Sequence, residues 1–208
     1  MTAQLLCFGE SGNAYKAALT MQLAGYDWRP VYVDFFNGET RTPAFRTLNV
    51  MGEVPVFREN DLTLTQSAVI QLHIAEKTGK FLGGDRNEVL RWLMFDNHKM
   101  SGQAGMLRFM MNFVPPEKRP EQVIGWQQAR MKAAYRVLDA HLTERDWVCD
   151  ATSTIADFAL CGYLYYPEPF GFARAEWPHI DRWLDRIADL PGWKHPYDLM
   201  PGNPSDRA

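Results

Sequence analysis

Residues 4–35 read QLLCFGESGNAYKAALTMQLAGYDWRPVYVDF, and the rest of the chain is interpreted outward from this stretch. The apolar run at 4–8 ends in the turn-prone Gly9-Glu10-Ser11-Gly12-Asn13. Ala14, Ala17, Ala18 and Met21 then recur at i, i+3, i+4 and i+7, the one-face spacing of a helix. Gly25 is its natural stop. Residues 31–35 are β-branched and aromatic, which predicts a second strand. Two strands joined through a helix form a βαβ unit, with parallel strands and a right-handed crossover.

Downstream, Thr42-Pro43 opens a short helix expected to run to about residue 49, with proline at its first position. Residues 54–57 and 62–65 form short strands around the turn-rich Glu59-Asn60-Asp61, hence an antiparallel hairpin. A helix follows over 66–77, with Gly79 as its C-terminal signal. One mixed four-stranded sheet with helices on its faces would bury these elements. After Gly83-Gly84 the strand signals stop. A first long helix is expected within 87–113, before Pro115-Pro116, and Met131, Ala134, Leu138 and Leu142 mark a second. Thr154-Ile155-Ala156-Asp157 opens a third helix, and Ile180, Trp183, Leu184 and Ile187 mark a fourth. The fold class is therefore α/β followed by all-α, with a first domain over 1–80 and a helical domain over 87–208.

Composition bounds the function. The 208 residues are 46% hydrophobic and 13% aromatic, enough for a buried core and too much for a disordered chain. With 22 basic against 25 acidic residues the net charge is −3, so no nucleic-acid partner is expected. Cys7, Cys149 and Cys161 are too scattered for a disulfide framework or a CxxC site, and the five histidines show no metal-holding pairing. No metal is expected. The N-terminal stretch has no basic segment ahead of its apolar run, so no secretory leader is expected. No run approaches the ~18 apolar residues of a membrane span. A soluble cytoplasmic protein, without membrane contact, is expected.

Four motifs then occur in order: SGNAYK at 11–16, GEVPVF at 52–57, LTQSAVI at 64–70 and TIADFAL at 154–160. Together they resemble the cytosolic-type glutathione transferases, in a bacterial-like branch that uses serine or asparagine at the active site. The resemblance covers nearly the whole chain. It implies a thioredoxin-like N-terminal domain that binds glutathione, a helical C-terminal domain that holds the second substrate, and a homodimer. The implied activity is conjugation of the thiolate of reduced glutathione, as co-substrate, to hydrophobic electrophiles, a detoxification chemistry. The same scaffold also serves glutathione-dependent peroxidase, isomerase or lyase reactions, and non-catalytic binding proteins that have kept the fold.

Ser11 lies in a strand-to-helix turn, where helix N–H groups and the helix dipole stabilise an anion. A thiol held there ionises more readily. The resemblance implies that the Ser11 hydroxyl donates to the glutathione sulfur, although an ordinary N-cap is the plain alternative. Asn13 competes for the role, and Tyr15 is a weaker third. Other branches use a tyrosine in the first strand region, and residues 4–8 hold none. Cys7 falls inside the strand and reads as a small hydrophobe. Disulfide-reducing relatives carry a cysteine where this chain has Ser11.

Val54-Pro55 reads on its own as strand entry, since proline lacks an N–H. By resemblance Pro55 is cis and the Val54 main chain pairs with the cysteinyl part of glutathione. Glu53 stands where many relatives carry a neutral or basic residue. Gln66 and Ser67 read as a helix start. By resemblance the γ-glutamyl carboxylate docks at Ser67, with Gln66 near the ligand amine. Lys16, Arg41 and Arg46 could add positive potential. Met106, Phe109, Met110 and Phe113 fall near one face of the first long helix, with Tyr165 and Tyr166 further on. They suit either an adaptable electrophile pocket or plain core. Thr154 with Asp157 fits a capping box and is structural on either reading.

Overall fold

The N-terminal apolar run forms β1 (Ala3–Cys7), which becomes an inner strand of a four-stranded sheet of order β2-β1-β3-β4. The computed structural model describes residues 2–202 and divides them into two units, residues 2–82 with 191–202, and Gly83–Leu190. In the first unit, β1 is followed by α1 (Gly12–Ala24), β2 (Trp28–Tyr32), α2 (Pro43–Leu48), β3 (Val56–Glu59), β4 (Leu62–Thr65) and α3 (Ser67–Thr78). β1 and β2 are parallel, whereas β1–β3 and β3–β4 are antiparallel, as the mixed sheet read from sequence requires. The sequence divided the chain near residues 80–86, and the unit boundary falls at Leu82–Gly83. Residues 191–202 nevertheless belong with the first unit.

β2 starts earlier than its composition indicates. Pairing with β1 runs from Ala3↔Trp28 to Cys7↔Tyr32, so the strand is Trp28–Tyr32 rather than 31–35. Pro30 is tolerated there because β2 is an edge strand and its outer side needs no ladder donor. The apolar residues after it pack instead of pairing. Phe35 stacks on Phe8 at 4.8 Å between ring centroids, and Phe36 meets Phe8 edge-on at 5.9 Å.

Strand alternation divides the core of this unit. Leu6, Val33, Phe45 and Val56 cluster on the α2 side, while Leu5 and Cys7 belong to the opposite face. Ala14, Ala17 and Ala18 of α1 are fully buried, as are Ile70, Ile74 and Ala75 of α3. These short side chains let α1 and α3 pack closely, and Gln71 Nε2 donates to Thr20 Oγ1 between them at 3.0 Å. Both helices end on a glycine in the left-handed region, Gly25 and Gly79.

In the helical unit the stretch read as one long helix is two. α4 (Arg86–Phe95) passes through a π-helical turn (Asp96–Ser101) into α5 (Gly102–Asn112). Gly102 is required by the turn, because a Cβ there would lie 2.7 Å from the Asn97 carbonyl oxygen. α6 (Glu121–His141), α7 (Ile155–Leu160) and α8 (Pro178–Ala188) complete this unit. The last short helix, α9 (Pro196–Leu199), lies in the returning segment of the first unit.

The expected capping box opens α7. Asp157 is fully buried and accepts from the Val148 and Thr154 N–H groups (2.9 and 2.8 Å), the Thr154 hydroxyl (3.0 Å) and the Trp183 indole N–H (2.9 Å). Burial pushes its carboxyl above the usual carboxylate range, against the downward pull of these donors.

Candidate functional site

The sheet register gathers three of the sequence motifs. Leu6 pairs with Val56, and Val56 pairs with Thr65. At this one end of the strands β1 leaves for the Ser11 turn, β3 is entered from Val54-Pro55, and β4 leaves for Gln66-Ser67. Residues separated by tens of positions in sequence therefore converge on two helix N-termini, those of α1 and α3.

At the first, Ser11 is the N-cap of α1, and its Oγ accepts the Ala14 N–H at 3.1 Å. The Tyr15 N–H is taken by the Ser11 carbonyl. Among the described residues the Gly12 and Asn13 N–H groups, in the first turn of α1, meet no backbone acceptor. Capping uses only a lone pair of the hydroxyl, so its proton remains available to an acceptor. The N-cap and sulfur-donor readings of Ser11 are therefore compatible. Asn13 is half-buried, one residue beyond Gly12.

At the second, Gln66 occupies the N-cap position of α3 with φ 68° and ψ 119°, and no side chain caps the helix. Such a backbone costs about 1–3 kcal/mol in a residue with a Cβ and tends to persist where a site requires it. The Gln66 amide instead donates to Met51 Sδ at 3.0 Å and Glu53 Oε2 at 3.4 Å. Ser67, half-buried, is the first residue of the helix. Between the two helix starts the Val54–Pro55 peptide is cis, and Val54 lies just ahead of the β3 ladder. This end of the sheet thus offers two anion-stabilising helix starts and, next to them, main chain outside the ladder.

Other residues singled out from sequence lie elsewhere or are committed. Cys7 is fully buried in β1, and burial pushes its thiol up to about 12. The Tyr15 hydroxyl donates to the Lys194 carbonyl at 2.9 Å from a fully buried ring. Lys16 is buried within α1, whereas Arg41 and Arg46 are exposed, and Arg46 donates to the Val50 carbonyl at 3.0 Å.

On α5, in the helical unit, Met106 and Phe109 are 53% and 41% exposed. Phe113 is half-buried, with its ring centroid 6.0 Å from that of Phe109. Met110 turns into the core and offers little surface. Tyr166 packs under the Arg108 guanidinium, 4.1 Å from its ring centroid, and the Tyr165 hydroxyl donates to the Leu184 carbonyl at 2.7 Å. Both tyrosines thus have packing roles. Among the described residues no group of three or more His, Cys, Asp or Glu could hold a metal ion. No helix among them is long and apolar enough to cross a membrane.

Comparison with known proteins bears directly on this arrangement. The model for the glutathione S-transferase N-terminal domain matches residues 1–76, and that for the C-terminal domain matches 103–191. A solved glutathione S-transferase from Xanthobacter autotrophicus Py2 is 31% identical, with a TM-score of 0.86 over 99% of this chain and 98% of that one. The chain belongs to the glutathione S-transferase family. Glutathione S-transferase F10 of Arabidopsis thaliana is 28% identical over 196 residues, 88% of this chain and 90% of the relative. Disulfide-bond oxidoreductase YfcG of Escherichia coli is 26% identical over 196 residues, 89% and 90% of the two chains. Family membership makes this protein an enzyme of the glutathione S-transferase kind, with a thioredoxin-like first unit and a helical second one.

Sequence inspection missed the returning segment. The Pro201 carbonyl accepts the Gly9 N–H at 2.6 Å, and the Tyr197 hydroxyl donates to Glu10 Oε2 at 2.9 Å. These contacts span nearly the whole chain, so no local pattern could signal them.

Proposed function

We propose that this protein conjugates the thiolate of reduced glutathione to hydrophobic electrophiles. The observation that carries the reading is the Ser11 hydroxyl at the start of α1, with its proton still available beside the Gly12 and Asn13 N–H groups. In this reading Ser11 donates to the sulfur and Asn13 supports it through its N–H or its amide. The helix dipole adds stabilisation, so more of the bound thiol is ionised near neutral pH. The Val54 main chain pairs with the cysteinyl portion as a short added strand, next to the cis Pro55. The γ-glutamyl carboxylate docks at the uncapped start of α3 through Ser67, with the Gln66 side chain near the ligand amine. The sulfur attacks the electrophilic carbon, forming the C–S bond as the leaving group departs or the π-bond opens. Rate comes from positioning and thiolate stabilisation rather than a covalent enzyme intermediate.

Met106, Phe109 and Phe113 of α5 are the apolar surface offered to the electrophile, with Met110 as the core behind them. A homodimer, working in the cytoplasm without metal, nucleic acid or membrane, completes the proposal. Support for self-association comes from an open groove of about 210 Å³ between α6 and the α4–α5 stretch, where Phe95, Ala133, Ala134 and Val137 form an apolar floor beside Lys99, Gln103 and Arg130. A monomer in sizing chromatography would count against the dimer.

Retention on immobilised glutathione, followed by spectroscopic titration of the bound thiol, tests the central claim. A thiol pKa equal to that of free glutathione sinks it. The 26% identical disulfide-bond oxidoreductase favours a second reading, in which the same thiolate attacks a disulfide, releases one thiol and leaves a mixed disulfide that a second glutathione reduces. A panel of aryl halides, peroxides, disulfides and isomerisable enones separates these chemistries. A non-catalytic binder would turn over none of them.

A further inference from the structure

The turn that presents Ser11 is held from both sides by the end of the chain. Gly9, before it, gives its N–H to the Pro201 carbonyl. Glu10, only 5% exposed, accepts the Tyr197 hydroxyl through Oε2. Tyr15, one helical turn later, gives its hydroxyl to the Lys194 carbonyl. Gly202, with φ +75°, lies so close to the Tyr32 ring that an added Cβ would sit 2.4 Å from it. Tyr32 pairs with Cys7, the last residue of β1 before the turn. The sheet is already four-stranded without residues 191–202, and these ties all fall on or around the single turn that carries Ser11. Within the turn's own backbone the Ser11 N–H donates to the Phe8 carbonyl at 3.0 Å.

We infer that Tyr197 is a positioning residue for Ser11, acting through Glu10, and that residues 194–202 are a clamp that fixes the turn for the bound sulfur. The inference rests on the proposed role of Ser11. Donor strength toward a thiolate depends on aim, and a misdirected hydroxyl loses much of a charge-assisted bond. Tyr197 touches neither ligand nor sulfur in this scheme. Its work is to restrict where the Glu10–Ser11 peptide can go.

The test is Tyr197→Phe, which deletes one hydroxyl and keeps the ring. With glutathione bound, the thiol pKa is expected to rise by about half a unit, a roughly threefold loss of thiolate below the midpoint. The Gly9 and Ser11 amides should exchange their hydrogens about threefold faster, since the turn opens more often. Affinity for S-methylglutathione, which has no thiol proton, should stay within about twofold. Tyr15→Phe, which cuts the tie to Lys194, should give both changes in smaller measure, and it serves if Tyr197→Phe does not fold.

Faster exchange with an unchanged thiol pKa would make the segment merely structural and overturns the inference. A raised thiol pKa with unchanged exchange would make the effect electrostatic and overturns it equally. A wild-type protein whose bound thiol has the pKa of free glutathione overturns the Ser11 reading as well, so the two failures are distinguishable.

Discussion

Helix α7 begins with its donors answered by side chains, whereas α3 begins with no side-chain cap at all. At α7, a fully buried Asp157 carboxylate gathers two backbone N–H groups, the Thr154 hydroxyl and the Trp183 indole. At α3, the residue in the cap position has a left-handed φ and turns its amide toward Met51 and Glu53. Both starts have a polar residue leading into an apolar run, but only Thr154 is followed three residues on by an acid, Asp157. The difference lies in what the start's own side chains supply. Where they provide acceptors, as Thr154 and Asp157 do, the helix start is part of the core. Where they do not, and the start opens at the end of a sheet, the free donors are available to a ligand. α1 is intermediate, since Ser11 caps one N–H and leaves others.

The widest gap between the two starts should appear in stability. Asp157→Ala leaves several buried donors without an acceptor and is expected to cost about 3 kcal/mol or more in urea unfolding. A loss under about 1 kcal/mol would mean that this start is not closed by its carboxylate. Next in size, Ser11→Ala should raise the thiol pKa of bound glutathione by about one to two units and lower turnover 10- to 100-fold near neutral pH, while costing only about 1 kcal/mol of stability as a lost cap. Equal thiol titrations in the two proteins would move the donor role to Asn13.

Ser67→Ala should weaken glutathione binding by about tenfold in calorimetry, roughly 1.4 kcal/mol, with folding stability changed by less than about 0.5 kcal/mol. A large loss of stability would instead place α3 in the same class as α7. Smallest is Gln66→Gly. Relief of the positive φ, less the entropy cost of glycine, should raise stability by up to about 1 kcal/mol while glutathione binds more weakly. Unchanged binding would show that the strained backbone serves no ligand.

Much of this was legible in advance, for physical reasons that differ by element. The βαβ start, the β3–β4 hairpin and the α3 stop at Gly79 follow from short-range pattern and turn chemistry. So do Thr42 and Pro43 at the start of α2, where Thr42 Oγ1 accepts the Phe45 N–H at 3.2 Å. β2 was displaced because pairing with β1 set its register, and Val33 to Phe36 were better used in packing. The π-helical turn was missed although Asp96, Asn97, His98 and Ser101 are poor helix formers, because the apolar residues on either side kept the helical pattern running through it. At the site, Ser11, Val54-Pro55 and Gln66-Ser67 are each local motifs at element ends, so they could be read. Tyr197 and Pro201 could not, since their meaning depends on contacts with residues nearly two hundred positions earlier.

The returning C-terminal segment also sets an order of events during synthesis. The unit that emerges first from the ribosome includes residues 191–202, which emerge after the entire helical unit. Its sheet and helices can form early, but the turn carrying Ser11 stays without its last ties until residues 194–202 have followed the helical unit out. Domains usually fold as units from the N-terminus onward. In this chain the candidate thiolate-binding turn is completed after the helical unit, so a nascent chain that has not reached residue 194 lacks the ties that hold it.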